Sequence, residues 1–449
     1  MANQFSLSLY DELVSSFDSH VDQSGSSSVA QTRQKGFEHF KKQGFPTRRN
    51  EEWKYTNVTP FLQEHYHTNG LAAKAAAGAD LSVIDRSNLP QIDAFQLVLV
   101  NGHLQKTNQL TGLPEGLSVL TIEEAQQKEN LAHLFIQNIE EVKKYPFAAL
   151  NAAFFSNGLF IDVKANAVLE KPLHIIHLFT ADSNLFVQPK HLINIGKNAI
   201  ATVLETVISE RTAARVFVNS FCEINVEENA KFDHYTIQTA QSGTRLVNHT
   251  EVRQKRYSTY SNFTFCLPGS ELIRNNLHVS LDESETESHL YGLYLGAGNQ
   301  LIDNHSLVNH KMPRCNSNEV YKGVLTENST GVFNGKIFVQ PDAQKTNAFQ
   351  QNNNLLLSDK ATINSKPQLE IFADDVKCSH GSTVGQLSRE AMFYLQSRGI
   401  GELKAKALLV NAFLFDVTEK IKIPELEQYI NDLIAQHIPS GEQVMKDVE

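Results

Sequence analysis

The chain has 449 residues, and its 40 Lys and Arg against 50 Asp and Glu give a formal net charge of −10. This acidic balance argues against a nucleic-acid binder, because phosphate affinity depends on clustered Lys and Arg. At roughly 150 residues per domain, the length predicts two or three domains.

The four cysteines include no CxxC pair, so no disulfide framework is predicted; they are Cys222, Cys266, Cys315 and Cys378. Free thiols are typical of a reducing compartment. The N-terminus has no basic stretch followed by an apolar one, as an export signal would. No apolar run approaches the ~20 residues of a membrane span. We therefore predict a cytoplasmic protein that does not enter a membrane.

Residues 1–95 are predicted to form a mainly helical N-terminal region. Apolar residues at helical spacing indicate helices over 5–17 and 31–43, with a polar break at 22–28. The Ala- and Gly-rich stretch 71–80 could be a linker or a frayed helix.

Residues 96–157 are predicted to be a connecting α/β segment. The stretch 95–101 has the composition of a strand, and Thr121 with Glu124 forms a capping box at the start of helical sequence over 121–144. A short helix over 147–155 is predicted to end at Asn157 and Gly158.

Residues 158–387 are predicted to form a β-solenoid core. Ile161-Asp-Val-Lys-Ala-Asn-Ala167 recurs from Ile193 and from Ile224, and weaker copies begin at Leu293, Gly323 and Leu355. The interval from 224 to 293 is longer than the others and is interpreted as two periods with one degenerate copy. A period near 31 with no helical pattern predicts stacked β-coils with inward ladders of Ile, Val and Leu. A β-sandwich with coincidental turns is the alternative.

Residues 388–449 are predicted to form a C-terminal helical domain, with helices over 389–396, 402–417 and 424–436. Leu403, Ala407, Val410 and Leu414 form one apolar stripe. This stripe could cover the end of the solenoid, dock a partner, or do both.

Most familiar catalytic motifs are absent. No GxxxxGK[ST] sequence is present, so the chain should not hydrolyse ATP by itself, and no HExxH zinc motif is present. A carbohydrate-active β-helix enzyme is a distant hypothesis, because such enzymes are mostly exported.

Two polar clusters could bind a metal. Asp303, His305, His310 and Cys315 are good ligand types, but their spacing fits no standard site, and a hydrogen-bonded His inside the solenoid is the alternative. In the second cluster, Cys378 and His380 lie two residues apart, and in a strand they would share one face. They could ligate iron or zinc together with a ligand from another chain. The alternative is a buried Cys beside a hydrogen-bonding His.

Four stretches of the sequence resemble the SufB/SufD family of the SUF iron–sulfur cluster assembly system, and within it the SufD type. They are residues 366–387, 342–358, 46–56 and 147–154, and the resemblance extends over about residues 40–440.

The resemblance implies a right-handed parallel β-helix between helical N- and C-terminal regions. It implies a non-catalytic scaffold that pairs with a SufB-like paralogue, β-helix to β-helix, and docks a SufC-like ATPase on its C-terminal helical domain. His380 then lies at the SufB interface, where a nascent cluster is built, and Cys378 is its neighbour. Iron or a cluster would be held transiently, with no cofactor tightly bound in the isolated chain, which could form a homodimer.

The alternative role is that of a SufB-type chain, which carries the main cluster ligands itself. The small number of cysteines and the Cys378-Ser-His-Gly381 form favour the SufD type. Trp53 is predicted to anchor the N-terminal region by packing, and the run 350–354 is predicted to be a turn ladder of the solenoid.

Overall fold

The computed structural model describes residues 8–21, 27–68, 76, 78–87, 89–105, 112–128, 144–155, 157–210 and 214–438. It is a parallel β-solenoid of about 8 turns with helices at both chain ends, as the sequence predicted. The helices are α1 (Ser8–Val21), α2 (Ser27–Gln43), α3 (Thr59–Leu62), α4 (Ser82–Arg86), α5 (Ile122–Gln126), α6 (Pro146–Phe154), α7 (Arg389–Ser397), α8 (Glu402–Thr418) and α9 (Pro424–His437), with a 3-10 turn at Glu51–Trp53.

The strands form two sheets, and from β8 onward successive strands alternate between them. The first sheet contains β1 (His67–Thr68), β4 (Leu117–Thr121), β5 (Leu159–Val163), β7 (Leu185–Val187), β8 (Lys190–Ile195), β10 (Val216–Val226), β12 (Thr244–Gln254), β14 (Leu272–Leu281), β16 (Leu301–His310), β18 (Thr330–Val339) and β20 (Thr362–Ile371). The second contains β2 (Phe95–Val100), β3 (His103–Leu104), β6 (Leu173–Phe179), β9 (Ile200–Ser209), β11 (Lys231–Gln238), β13 (Thr259–Cys266), β15 (Glu287–Gly296), β17 (Asn316–Leu325), β19 (Asn347–Leu356) and β21 (Lys377–Gly385).

The predicted aliphatic ladder runs through the solenoid interior. Ile161, Ile193, Ile224, Val252 and Val279 are paired from coil to coil in the first sheet, and each is at most 1% exposed. The coils differ somewhat in length, since the step from Val252 to Val279 is shorter than the step from Ile161 to Ile193.

The interpretation of the interval from 224 to 293 as two periods is wrong. The three strong copies lie on β5, β8 and β10 of the first sheet, whereas the weaker copies begin on β15, β17 and β19 of the second. The interval from Ile224 to Leu293 therefore crosses from one sheet to the other, which adds half a coil.

A left-handed residue recurs at one edge of the solenoid. Asn166, Asn198 and Asn229 have φ of 64°, 60° and 60°, a conformation that Asn tolerates better than most residues. The Asn198 amide nitrogen donates to Asn166 Oδ1 at 2.8 Å, and that of Asn229 donates to Asn198 Oδ1 at 3.0 Å. In the following coils the same edge uses a residue of another type at positive φ: Tyr257, Glu285, Arg314 and Lys345.

The N-terminal region covers the outer face of the first sheet. Its aromatic core, which includes Phe17, Phe40 and Trp53, packs on Phe147 of α6 and Phe217 of β10. Trp53 is buried, and its ring lies 5.3 Å from that of Phe147, so the predicted anchoring role is confirmed. Helix α2 begins at Ser27, inside the predicted polar break, and most of 71–80 and of 121–144 lies outside the described residues.

The Thr121 capping box is confirmed. The backbone N–H of Glu124 donates to Thr121 Oγ1 at 3.2 Å, and that of Thr121 donates to Glu124 Oε2 at 2.9 Å. This box begins α5, directly after β4.

The C-terminal helices cover the outer face of the second sheet and not the end of the solenoid, so the end-cap interpretation of the apolar stripe is wrong. Ala407, Val410 and Leu414 pack in one cluster with the outward aromatic residues Tyr235 and Phe263. The outward side chains of this sheet include large aromatic residues that the helices bury, whereas β21 at the end of the solenoid is exposed.

Residues 350–354 lie in strand β19, so the prediction of a turn ladder is also wrong. Gln350, Asn352 and Asn354 are buried. The Asn352 amide donates to the Tyr294 hydroxyl at 3.0 Å, and the Asn354 amide donates to Asn352 Oδ1 at 2.8 Å. These polar side chains can occupy the solenoid interior because they bond to one another there.

The sheets extend on both sides of one predicted domain boundary. Strand β2 pairs in parallel with β6, so the solenoid sheet already includes residues before 158. The four predicted domain ranges remain predictions. Among the described helices, none combines the length and apolarity needed to cross a bilayer.

Candidate functional site

Cys378 and His380 lie on β21, the last strand of the solenoid. Cys378 pairs with Ala348 and His380 with Gln350 on β19, so both follow the inward positions of that strand. Residues two apart in a strand share a face at about 6.5–7 Å. Cys378 is half-buried against Ile337, Val339 and neighbouring residues, and His380 is exposed.

The last coil has two uncovered edges. Strand β21 is bonded only to β19, and β20 only to β18, so each leaves its outer edge free of any described strand. Large apolar side chains are exposed at this end, among them Phe372 at 59% and Val384 at 53%. A long strand edge with exposed apolar groups is a template for pairing with another chain.

Burial raises the pKa of the Cys378 thiol, and a backbone hydrogen bond from Ala348 opposes this only in part. The thiol is therefore protonated at neutral pH in the isolated chain. Because the thiolate is the metal-binding form, a cation or a cationic neighbour has to supply the missing stabilisation.

Glu319 and Gln350 lie beneath His380 and were not predicted as site residues. Both are buried, and the Gln350 amide donates to Glu319 Oε2 at 2.6 Å. Burial raises the pKa of Glu319 to about 7. Their positions and that of His380 follow one another at the coil period, so this period could have identified them.

The residues of the other predicted metal cluster do not come together in the structure. Asp303 and His305 lie 2.9 Å apart on the outer face of β16, beneath the N-terminal region. His310 faces the interior, where its Nε2 lies 2.9 Å from Ser317 Oγ, and burial lowers its pKa to about 3. Cys315 is buried beyond the end of the strand, with its thiol 3.3 Å from the Glu283 carbonyl. The alternative of an internal hydrogen-bonded His is therefore confirmed for His310.

Two buried His and Glu clusters were not predicted. In the interior, His177 and His234 each contact Glu205 at 2.7 Å, beside His191 and a cavity of about 70 Å³. The Leu159 amide donates to His191 Nδ1 at 3.2 Å, so His191 Nε2 carries the proton and is not free to bind a metal.

In the outer cluster, His249 and His278 both contact Glu251 Oε1, at 2.7 and 2.9 Å. The Tyr145 ring packs at a tilt against both imidazoles, and the Phe221 ring stacks on that of His249. These contacts account for the cluster as buried hydrogen bonding between the neighbouring strands β12 and β14 of the first sheet.

The remaining cysteines are poor ligands for an incoming metal. Cys222, Cys266 and Cys315 are buried, and burial raises the pKa of each thiol, that of Cys266 to about 12. Only Cys378 among the four cysteines is partly exposed.

Comparison with known proteins identifies the family of the chain. A family model described as "SUF system FeS cluster assembly, SufBD core domain" matches residues 177–413, and a second, "SufBD protein N-terminal region", matches residues 5–175. The chain belongs to the SufBD family. Its members take part in iron–sulfur cluster assembly.

Relatives cover most of the chain. An iron–sulfur cluster assembly SufBD family protein of Synechocystis is 31% identical over 403 residues, 87% of each chain. The iron–sulfur cluster assembly protein SufD of Escherichia coli is 29% identical over 402 residues, which is 89% of this chain and 90% of its own. The protein SufD of Bacillus subtilis is 25% identical over 307 residues, 68% of this chain and 69% of its own.

Proposed function

We propose that this chain is a non-catalytic scaffold subunit of a cytoplasmic iron–sulfur cluster assembly complex. In this proposal a SufB-like paralogue pairs with the open end of the solenoid, and Cys378 and His380 contribute ligands to a nascent cluster at that interface. The observation that carries the proposal is the uncovered last coil, whose outer strand bears both residues. A partner strand would complete the sheet and supply the ligands that two side chains cannot.

A SufC-like ATPase is the proposed partner of the C-terminal helices. Three aromatic side chains of α7 and α8 are exposed although the opposite side of α8 is packed on the solenoid: Phe393, Tyr394 and Phe415. An apolar surface of this kind favours a protein partner. The chain itself has no phosphate-binding loop, so ATP hydrolysis would belong to that partner.

The SufB-type role is the second candidate. It requires accessible cysteines that accept sulfur or bind the cluster. The burial of Cys222, Cys266 and Cys315 favours the SufD-type role.

The test compares His380→Ala with Ser379→Ala. Ser379 is exposed and adjacent to His380, and in the strand its side chain lies on the opposite face. Each full-length variant is purified with its partners under anaerobic conditions, the bound chains are identified by mass spectrometry, and iron and sulfide are measured. We expect both variants to retain the paralogue and the ATPase. His380→Ala should lower the cluster content at least ~10-fold, because loss of a ligand costs at least as much as loss of its outer-shell partner, and Ser379→Ala should not.

Equal iron and sulfide in the His380→Ala and wild-type complexes would refute the role of His380. Recovery of the chain without a paralogous partner, alone or as a homodimer, would refute the proposed assembly.

A further inference from the structure

Three polar residues occupy the same position in the last three coils of the second sheet. Glu319 on β17 pairs with Gln350 on β19, and Gln350 pairs with His380 on β21. Neighbouring strands of a sheet are ~4.8 Å apart. The side chain of His380 therefore lies one strand above that of Gln350, which lies one strand above that of Glu319.

The Gln350 side chain has a fixed orientation. It is 3% exposed, and its Nε2 donates to Glu319 Oε2 at 2.6 Å. Because the nitrogen is directed to Glu319, the amide oxygen Oε1 has to face elsewhere. Gly335 on the facing strand leaves the necessary space, since a Cβ there would lie 2.3 Å from Gln350 Nε2.

The oxygen of this amide lacks a donor. Gln350 Oε1 is buried and has no hydrogen-bond partner among the described residues. A buried acceptor left unpaired costs ~1–3 kcal/mol, and such groups are uncommon in folded proteins. The next side chain in the column is His380, which is exposed and makes no hydrogen bond within the described part of the chain.

We propose that Gln350 is a positioning residue for His380. Its Oε1 accepts the N–H of one imidazole nitrogen when a partner strand covers β21, and the other nitrogen is thereby left unprotonated and directed at iron. Glu319 acts on His380 only through Gln350, because it holds the Gln350 amide in the orientation that presents Oε1. A hydrogen bond of this kind on the second nitrogen is how proteins set the tautomer of a metal-binding His. The inference rests on the proposed function, in which His380 is a ligand.

The test uses the full chain in complex with its paralogous partner and Fe²⁺ as the probe under anaerobic conditions. Gln350→Met keeps the length of the side chain and removes the acceptor. Gln351→Met is the matched control, because Gln351 is the next residue of the same strand and is exposed. We expect Gln350→Met to weaken Fe²⁺ binding 10–100-fold, the usual effect of losing such a partner, and Gln351→Met to leave it unchanged.

A second measurement separates tautomer control from a general loss of structure. The ¹⁵N chemical shifts of the His380 ring, recorded in the iron-free complex, report which nitrogen carries the proton. One tautomer should dominate in the wild type and in Gln351→Met, and both should be populated in Gln350→Met. Thermal unfolding of the three proteins checks that the solenoid remains folded.

Wild-type iron affinity and an unchanged tautomer in Gln350→Met would overturn the inference, as would equal weakening by the two Met variants. If His380→Ala removes iron binding and Gln350→Met does not, only the role of Gln350 is wrong. If His380→Ala leaves iron binding intact, the proposed function fails and this inference fails with it.

Discussion

Asp303 is the centre of the polar contact that holds the N-terminal region on the solenoid. It is fully buried, and Oδ2 accepts hydrogen bonds from Arg274 at 2.5 Å and from the Thr56 hydroxyl. Arg274 in turn donates to the Glu52 carbonyl at 2.8 Å and lies 3.8 Å from the Trp53 ring centre. Substituting Asp303→Asn keeps the shape of the side chain and removes its charge, so it isolates the electrostatic part of this contact.

The stability that Asp303→Asn should lose can be calculated from the pKa of Asp303. Burial alone would raise this pKa, but Arg274 and His305 outweigh burial and lower it from the ordinary 3.8 to about 2. At roughly 1.4 kcal/mol for each tenfold change in proton affinity, the ionised form contributes ~2 kcal/mol of stability. If all of this is lost from the attachment of the segment around Trp53, the opening equilibrium of that segment rises ~30-fold in Asp303→Asn.

The same pKa sets the pH dependence. The folded state binds the proton of Asp303 more weakly than the unfolded state does, so this stability is present above pH ~4 and is lost as the pH falls toward ~2. The difference in melting temperature between the wild type and Asp303→Asn should therefore be largest near neutral pH and shrink below pH 4.

The assay is hydrogen exchange of peptides that contain residues 50–57, measured at neutral pH. Asp303→Asn should exchange faster in these peptides, with exchange in the C-terminal helices unchanged. Lys366→Gln is the control, because it removes the exposed Lys366–Glu51 pair from the same segment and should have little effect. Equal exchange in the wild type and Asp303→Asn would refute the reasoning.

Two further predictions concern Glu319 and Lys322. Because burial raises the pKa of Glu319 to about 7, the folded state holds a proton that the unfolded state releases, and stability should fall by up to ~3 kcal/mol as pH rises from ~4.5 to ~7. Urea unfolding should show this slope in the wild type and not in Glu319→Gln; an identical slope would contradict the assignment. The buried Lys322 ammonium donates to the Phe413 carbonyl at 2.6 Å and to Asp416, so Lys322→Ala should weaken the attachment of α8 by ~1–3 kcal/mol. Limited proteolysis across residues 388–401 should then be faster, and an unchanged rate would contradict this role.

The solenoid could be predicted because its first coils use Asn at the left-handed turn. Asn166, Asn198 and Asn229 mark one edge at a regular spacing. The later coils place Tyr257 and Glu285 in the same conformation, so the backbone repeat continues without a repeat of residue type. The sequence pattern of the first turns next appears at the opposite edge, so the interval from 224 to 293 contains an additional half coil.

Of the residues at the candidate site, only those on the last strand could be predicted from the sequence. Cys378 and His380 are recognised by strand parity and by family resemblance, whereas Gln350 lies in an Asn-rich run with the composition of a turn. Its inward direction depends on hydrogen bonds with distant residues, such as Glu319, which no local pattern contains. The alternation of side chains along a strand also explains why the predicted metal cluster does not form. Asp303 and His305 are odd-numbered and face outward on β16, whereas His310 is even-numbered and faces inward.

The two ends of the solenoid differ in how well each is suited to strand pairing. At the N-terminal end, the sheets finish in short antiparallel strands, β3 of two residues and β4 of five. At the C-terminal end, they finish in parallel strands of ten and nine residues, β20 and β21, whose outer edges pair with no strand of the described residues. Proteins usually shorten or cover such edges, so the long end is the one suited to strand pairing. Pairing there would also remove water from around His380, which strengthens the interaction of its ring with a metal cation. Assembly and completion of the metal site would then be the same event.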